Sequence, residues 1–333
     1  MTRREFLRWS GVALLTAVLS RRLLSAATGT GAFAPPPALP PSDDSWSRSV
    51  PNPIMSPTGW EGDWILEPSV IYEGGTFKMI YVGASGTPWT ASQFGYATSS
   101  DGVSWTRYGG NPVFGLGVGG EAGPVFQPNL VKVGSSYWLY YRSPTQYLCI
   151  ATSTNLTTWT VAHTNIITNP DGQTQWNNTS IVIDDGGTWH MLAEGFKSPI
   201  YKTYYWTSSD GISWTAGNGG APLTSLQVAS GGMYGGPFLW PVPVGGLWHL
   251  WYHAASGSGL LPTNIYHATS SDFVNWTQTT PNPVLTHAGS GFEYDQVADP
   301  SIVVVGNTAY LFYDGDNNTT ETGAIGLATA AAV

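Results

Sequence analysis

Tyr96-Ala97-Thr98-Ser99-Ser100-Asp101-Gly102-Val103-Ser104-Trp105 decides how this chain is read, because the pattern returns. A strand ending in Ala/Trp-Thr-Ser, a turn, and then Ser/Thr/Asn-Trp recur through Trp159, Trp214 and Trp276. Turns such as Ser100-Asp101-Gly102 and Ser209-Asp210-Gly211 suit tight links between antiparallel strands. A spacing of tens of residues marks a repeat architecture. The fifth such strand, Gly326-Leu327-Ala328-Thr329-Ala330, ends the chain with no Trp after it. Instead, Ser45-Trp46-Ser47-Arg48 through Pro51-Asn52-Pro53-Ile54 matches Ser104-Trp105-Thr106-Arg107 through Gly110-Asn111-Pro112-Val113. The N-terminal segment therefore supplies the missing strand of the last unit. Each unit also holds an apolar strand followed by an aromatic-rich one, such as Tyr137-Trp138-Leu139-Tyr140-Tyr141 or Trp248-His249-Leu250-Trp251-Tyr252. Five units of four antiparallel strands, closed by an exchanged terminal strand, predict an all-β five-bladed β-propeller over residues 45–333.

The chain before that repeat differs in kind. Arg3-Arg4-Glu5-Phe6-Leu7 leads into a short apolar run from Gly11 to Leu19, then to small residues at Ser25-Ala26-Ala27 and Ala32-Phe33-Ala34. Paired arginines before Phe-Leu resemble a twin-arginine export signal, and the run is too short for a stable membrane-spanning helix. Residues 1–34 are thus expected to be a cleaved signal peptide, residues 35–44 a Pro-rich linker, and the mature protein periplasmic or extracellular with no membrane anchor. Without residues 1–34, seven Lys and Arg face 20 Asp and Glu, a net charge of −13. Nucleic-acid binding rests on clustered cations and is excluded on that balance. The single Cys149 lies in an apolar strand and has no disulfide partner in the chain, so it reads as packing.

Topology sorts the acids. In a four-stranded antiparallel unit, the loop into the first strand and the loop out of the second share one face, here called the top. Glu73, Asp101, Asp184, Asp185, Asp210 and Asp272 fall in bottom turns, where such residues serve turn geometry. Glu61, Asp63, Glu67, Glu121, Asp171, Glu194, Glu293, Asp295, Asp299, Asp314, Asp316 and Glu321 fall on top. Trp60-Glu61-Gly62-Asp63 parallels Phe292-Glu293-Tyr294-Asp295, which makes Glu61 and Glu293 repeated loop caps. At the start of the innermost strands stand Glu67, Gln127, Asn178, Gly236 and Asp299, ringing the channel mouth. Val82, Arg142, Glu194, His253 and Asp314 occupy the corresponding ends of the second strands. Clustered carboxyls raise one another's pKa and suit acid/base chemistry.

These features together resemble the five-bladed propeller glycosidases of glycoside hydrolase families 43, 32, 117 and 130: Glu67-Pro68 on the first inner strand, and Ser-x-Asp-Gly-x-x-Trp at the unit ends. The likeness spans about residues 45–333. It implies cleavage of an oligo- or polysaccharide by a carboxyl pair, one protonating the leaving oxygen and one activating water or attacking carbon. Family 43 enzymes carry an Asp on the first inner strand and an acidic Glu in Glu-Gly-Pro; here those places hold Glu67 and Gly235-Gly236-Pro237, and Asn178 stands where another acid belongs. By that resemblance Glu67 or Asp299 is the base or nucleophile and Glu194 the acid. Asp63, Trp64, Gln127, Arg142, Trp176, Asn178, His253, Asp295 and Asp314 are expected to bind substrate around them. Trp60, Trp64, Trp89, Trp176 and Trp240 are the candidate platforms for sugar rings. The chemistry requires no cofactor; a calcium ion held by Asp299, Asp314 and His253 is the open alternative to their binding substrate directly. A non-catalytic carbohydrate-binding propeller, or an inactive glycosidase relative, is the competing function. Its sites would repeat from unit to unit, whereas the five ring positions here all differ.

Overall fold

A computed structural model describes residues 38–48, 51–86 and 88–333. The proposed signal peptide, residues 1–34, and the first part of the linker lie outside the described residues. No helix among those described is long and apolar enough to cross a membrane.

From Leu39 onward the chain is all-β and propeller-like. Strands β1 (Trp64–Glu73), β2 (Thr76–Ala84), β3 (Ser92–Ser99) and β4 (Thr106–Arg107) pair in order as an antiparallel meander. The same up-and-down order repeats in β5–β8 (Phe126–Val133, Ser136–Arg142, Leu148–Ser153, Thr160–His163) and in β9–β12 (Gln175–Ile183, Trp189–Lys197, Ile200–Ser208, Thr215–Ala216). It repeats again in β13–β16 (Tyr234–Leu239, Trp248–Ala255, Thr263–Ser270, Thr277–Gln278). A last meander comprises β17 (Gln296–Val305), β18 (Thr308–Asn317) and β19 (Thr322–Ala331). Single parallel bridges, Trp64 to Gly323 and Thr263 to Gln296, splice the first, fourth and fifth meanders into one 11-stranded sheet.

The outermost position of the last meander is filled from the other end of the chain. Ser47 bridges Thr329 and Met55 bridges Ile325, both antiparallel. Between them the ladder is carried by a side chain: Asn52 Nδ2 donates to Leu327 O at 2.9 Å and Asn52 Oδ1 accepts from Leu327 N at 2.9 Å. Asn111 does the same for Tyr96, and Asn282 for His267. A carboxamide offers the donor and acceptor of a peptide unit, so it can replace one rung without the backbone lying parallel to its neighbour. The Pro-Asn-Pro and Gly-Asn-Pro segments matched in the sequence are therefore interrupted edges, where the sequence suggested continuous strands.

The recurring Trp is explained by its turn. Asp101 Oδ1 accepts from the backbone N–H of Val103 and Ser104, both at 2.8 Å, and Trp105 Nε1 donates to Gly102 O at 3.0 Å. Asn155 with Trp159, Asp210 with Trp214 and Asp272 with Trp276 repeat this arrangement. Asp101, Asp210 and Asp272 are committed to turn geometry, as is Asp184, which accepts from Gly186 and Thr188. Cys149 is buried among Phe94, Leu139 and Tyr141, a packing role.

One irregularity sets the inner mouth. Each innermost strand shifts register against its partner by one residue, between Leu66 and Ser69, Phe126 and Asn129, Gly235 and Phe238, and Ala298 and Ser301; in the third meander the shift spans Ala193 and Gly195. Glu67, Gln127 and Asp299 hold left-handed φ values of 55°, 51° and 50° there. Such a bulge re-aims its side chain out of the sheet's alternation, at a backbone cost of order 1–3 kcal/mol that only a well-packed surround sustains.

Candidate active site

The bulges turn Glu67, Gln127, Asn178 and Asp299 toward one cavity of about 450 Å³, whose wall also includes Glu194, His253, Asp314 and Trp64. Eight residues singled out from the sequence are thereby brought together. Glu67 is 8% exposed, and both its oxygens are engaged by one neighbour: Oε2 accepts from Gln127 N at 2.6 Å and Oε1 from Gln127 Nε2 at 2.8 Å. Burial, with the charge of Asp299, nevertheless pushes the Glu67 pKa up to about 8.

Glu194 reaches the cavity from within β10, three residues before its end. Its Oε1 accepts from Asn177 Nδ2 at 2.7 Å, and its Oε2 accepts from Gly236 N at 2.9 Å and lies 3.3 Å from His253 Nε2. Glycine at the facing position is what admits it. A Cβ built on Gly235 would fall on Glu194 Oε2, and one on Gly236 would collide with His253 Nδ1 and sit 2.7 Å from Asp299 Oδ1. Gly235-Gly236-Pro237, which lacks the acid of Glu-Gly-Pro, thus leaves room for a carboxylate arriving from the neighbouring meander.

His253 joins the two meanders. Its Nδ1 lies 3.1 Å from Asp299 Oδ1 while Nε2 faces Glu194. Burial alone would lower its pKa, but hydrogen bonds to Asp299 and Glu194 and their charges raise it to about 10. The N–H of Asp299 also points at Nδ1 at 3.2 Å, an arrangement suited to a neutral ring. Two flanking carboxylates outweigh one backbone dipole, so the imidazolium is the favoured form. Asn178 Nδ2 donates to Asp299 Oδ1 at 2.7 Å, completing the network.

Asp314 is 2% exposed on β18; burial, then the charges of Asp299 and Glu67, hold its pKa well above the usual carboxyl value. Asp316, two residues on and so on the same face of the strand, is raised to about 7 by burial and by Asp295 and Asp299. Asp316, placed on the top face from the sequence but not among the site residues, lines the cavity, as do Asn177, Gln296, Tyr201, Met233, Leu260 and Leu261, which the sequence did not mark for the site. Asp316 was within reach of the period-two rule; Tyr201 stands near the start of β11, before the repeated Thr-Ser end of that strand, and the Leu260-Leu261 rim lies in the loop between β14 and β15, so no repeated motif marked them. Among the described residues, no group of three or more His, Cys, Asp or Glu side chains is arranged to hold a metal ion.

Five residues expected at the site from the sequence lie elsewhere in the structure. Trp176 is fully buried, its indole N–H donating to Asn169 Oδ1 at 2.7 Å and its ring edge-on to Tyr204 and Trp206, so it is core and not a sugar platform. Trp240, 4% exposed against Trp251, is core as well. Asp63 is exposed outside the cavity wall, and Asp295 is also outside it, its Oδ2 accepting from Asn318 N at 2.7 Å. Arg142 lines a smaller neighbouring cavity instead. The Trp89 side chain lies outside the described residues. Glu61 and Glu293 are held in matching geometry, Glu61 by Arg107 and Tyr81 and Glu293 by Arg48 and Tyr313, and Glu61 also caps its loop by accepting from Thr58 N at 2.8 Å.

No family model matches the sequence, and no curated protein matches it either. Solved structures do. A glycosyl hydrolase from Bacteroides ovatus superposes with a TM-score of 0.62 at 20% identity, covering 88% of this chain and 92% of that one. A thermostable family-43 glycoside hydrolase gives 0.61 at 16% identity, over 83% and 91%. A structure from work on the GH130 family of mannoside phosphorylases, which contains glycoside hydrolases that target β-1,2 mannosidic linkages in Candida mannan, gives 0.63 at 19% identity, over 89% and 99%. At these identities the likeness is one of fold.

Proposed function

We propose that this chain is an exported glycoside hydrolase acting on an environmental or cell-wall glycan, built on a five-bladed propeller that residues 45–54 close and led by residues 1–34 as a twin-arginine-like signal. One observation carries the reading. Three carboxyl groups from three different meanders, Glu67, Glu194 and Asp299, converge on one open cavity in unequal surroundings.

Glycosidic cleavage asks for a protonated carboxyl beside the leaving oxygen and an ionised one beside water or the anomeric carbon. Carboxyls whose environments separate their pKa values supply that division of labour. Glu67, raised to about 8 by burial and by Asp299, holds its proton at neutral pH and takes the donor role. Glu194 and Asp299, one at each nitrogen of His253, supply the partner beside water or the anomeric carbon. This exchanges the roles that the family resemblance gave Glu67 and Glu194, and the cause is local: Glu67 lacks a cationic hydrogen-bond partner of its own, whereas the other two share an imidazolium. Asp314 and Asp316, with raised pKa values, lower the charge that five converging acids would otherwise accumulate.

A screen of the purified protein against nitrophenyl glycosides and plant or bacterial polysaccharides tests the reading. The expected result is turnover whose kcat/KM declines above about pH 8, the Glu67 value. Saccharide binding with no turnover across the screen would favour the non-catalytic propeller.

A further inference from the structure

We propose that the smaller cavity beside the central one is a subsite for a sugar carboxylate, making the substrate an acidic, uronate-bearing saccharide; this rests on the glycan-cleaving function proposed above. The cavity holds about 240 Å³. Arg142, at the end of β6 and 2% exposed, lines it with the carboxamides of Gln146 and Gln175 and the hydroxyl-bearing ring of Tyr201. Proline and Phe126 complete the wall, so Arg142 is its one lining residue that is charged at neutral pH; burial above all raises the Tyr201 pKa and keeps that phenol neutral. The sign is opposite to that of the central cavity, lined by Glu67, Glu194, Asp299 and Asp314, in a chain of net charge −9.

The guanidinium is also oriented. It lies 3.9 Å from the centroid of the Phe126 ring, and one of its terminal nitrogens donates to Gln146 Oε1 at 2.9 Å. Stacking on one face and a fixed in-plane bond define the plane of a fork that matches carboxylate geometry, and a carboxylate gains a charge-assisted pair that a neutral hydroxyl does not. Tyr201 lines both cavities, and Gln175 Nε2 donates to Asn177 Oδ1 at 2.6 Å across the same wall. Adjacent residues of one saccharide can therefore occupy the two spaces together, the scissile sugar at the carboxyls and the acidic one at Arg142.

The test measures calorimetric binding of methyl glucuronosides and galacturonosides, each beside its neutral methyl ester and the parent neutral glycoside, to wild-type protein and to Glu67→Gln. The acid should bind at least about tenfold more tightly than its ester, the low end of what a hydrogen bond to a charged group contributes. Arg142→Gln should erase that preference and Arg142→Lys should keep part of it. A merely structural arginine would weaken acid and ester alike on replacement, which would overturn the proposal. Equal affinity of wild type for acid and ester overturns it without any variant and leaves the glycosidase reading standing, because neutral sugars then still bind. Absence of binding by every saccharide overturns both.

Discussion

Replacing Gly235 with alanine should evict Glu194 from the site without altering a charged group. Gly235 lacks the left-handed backbone of its neighbour Gly236, so alanine meets no conformational penalty of its own there. The new Cβ lands on Glu194 Oε2 and 2.7 Å from Cγ, and Gly235 is paired across the ladder with His253, which stops the backbone from retreating. Glu194 must swing out and surrender Asn177, Gly236 N–H and His253. Hydrogen bonds to charged groups contribute about 1.5–3 kcal/mol each, and 1.36 kcal/mol corresponds to one pKa unit, so losing one of its two carboxylates should lower the His253 pKa by roughly 1–2 units. From about 10 in the parent, His253 should move toward neutrality. Histidine side-chain NMR titration reads this directly and needs no substrate. Glu194→Gln should show a similar shift. An unmoved His253 titration in Gly235→Ala would refute the argument that this glycine exists to admit the carboxylate.

Three further outcomes are expected. Glu194→Gln and Asp299→Asn should each cut kcat by at least ~10² on any substrate found, the scale of lost acid/base help, with the melting temperature measured alongside to separate catalysis from folding. Stability should peak in mild acid and fall as pH rises: Glu67, Asp316 and His253 have folded pKa values raised to about 8, 7 and 10, so the support each gives is complete below its unfolded value and is lost as pH climbs through the folded one. Thermal melts from pH 4 to 10 check this, and a curve rising toward pH 9 would contradict it. Removing residues through Ile54 should lower the melting temperature strongly, since it deletes buried Trp46, the Asn52 rung and the Arg48–Glu293 pair; a truncated protein that melts like the parent would show that this edge is dispensable.

The repeat was legible because each turn is local chemistry: Ser99, Asp101 and Trp105 bond within seven residues of sequence, so the pattern survives in every copy. The ring positions were legible too, because a bulge at the same place in successive meanders aims Glu67, Gln127 and Asp299 alike. What failed was burial. Trp176 and Trp240 sit where a loop joins an inner strand, and nothing in their neighbours reveals whether the indole turns outward or into the core. Nor does the sequence show that a missing side chain at Gly235 is filled by Glu194, since the two are 41 residues apart and meet only across meanders. Arg142 was placed on the right face but at the wrong cavity, because its stacking on Phe126 bends it away from the centre.

The bonding of Asn52 to Leu327 sets a clock on synthesis. The two residues are 275 positions apart, and at ~5–20 residues per second the ribosome needs on the order of 15–55 s to make the second after the first. Throughout that interval both Trp46 and Met55 lack the strand that pairs with their segment, although Met55 can already pack on Ile65, Val70 and Met79 of the first meander. The segment through Trp46 and Met55 therefore gains its strand neighbour only once residues 322–331 have been made, so this edge is among the last parts of the fold to pair.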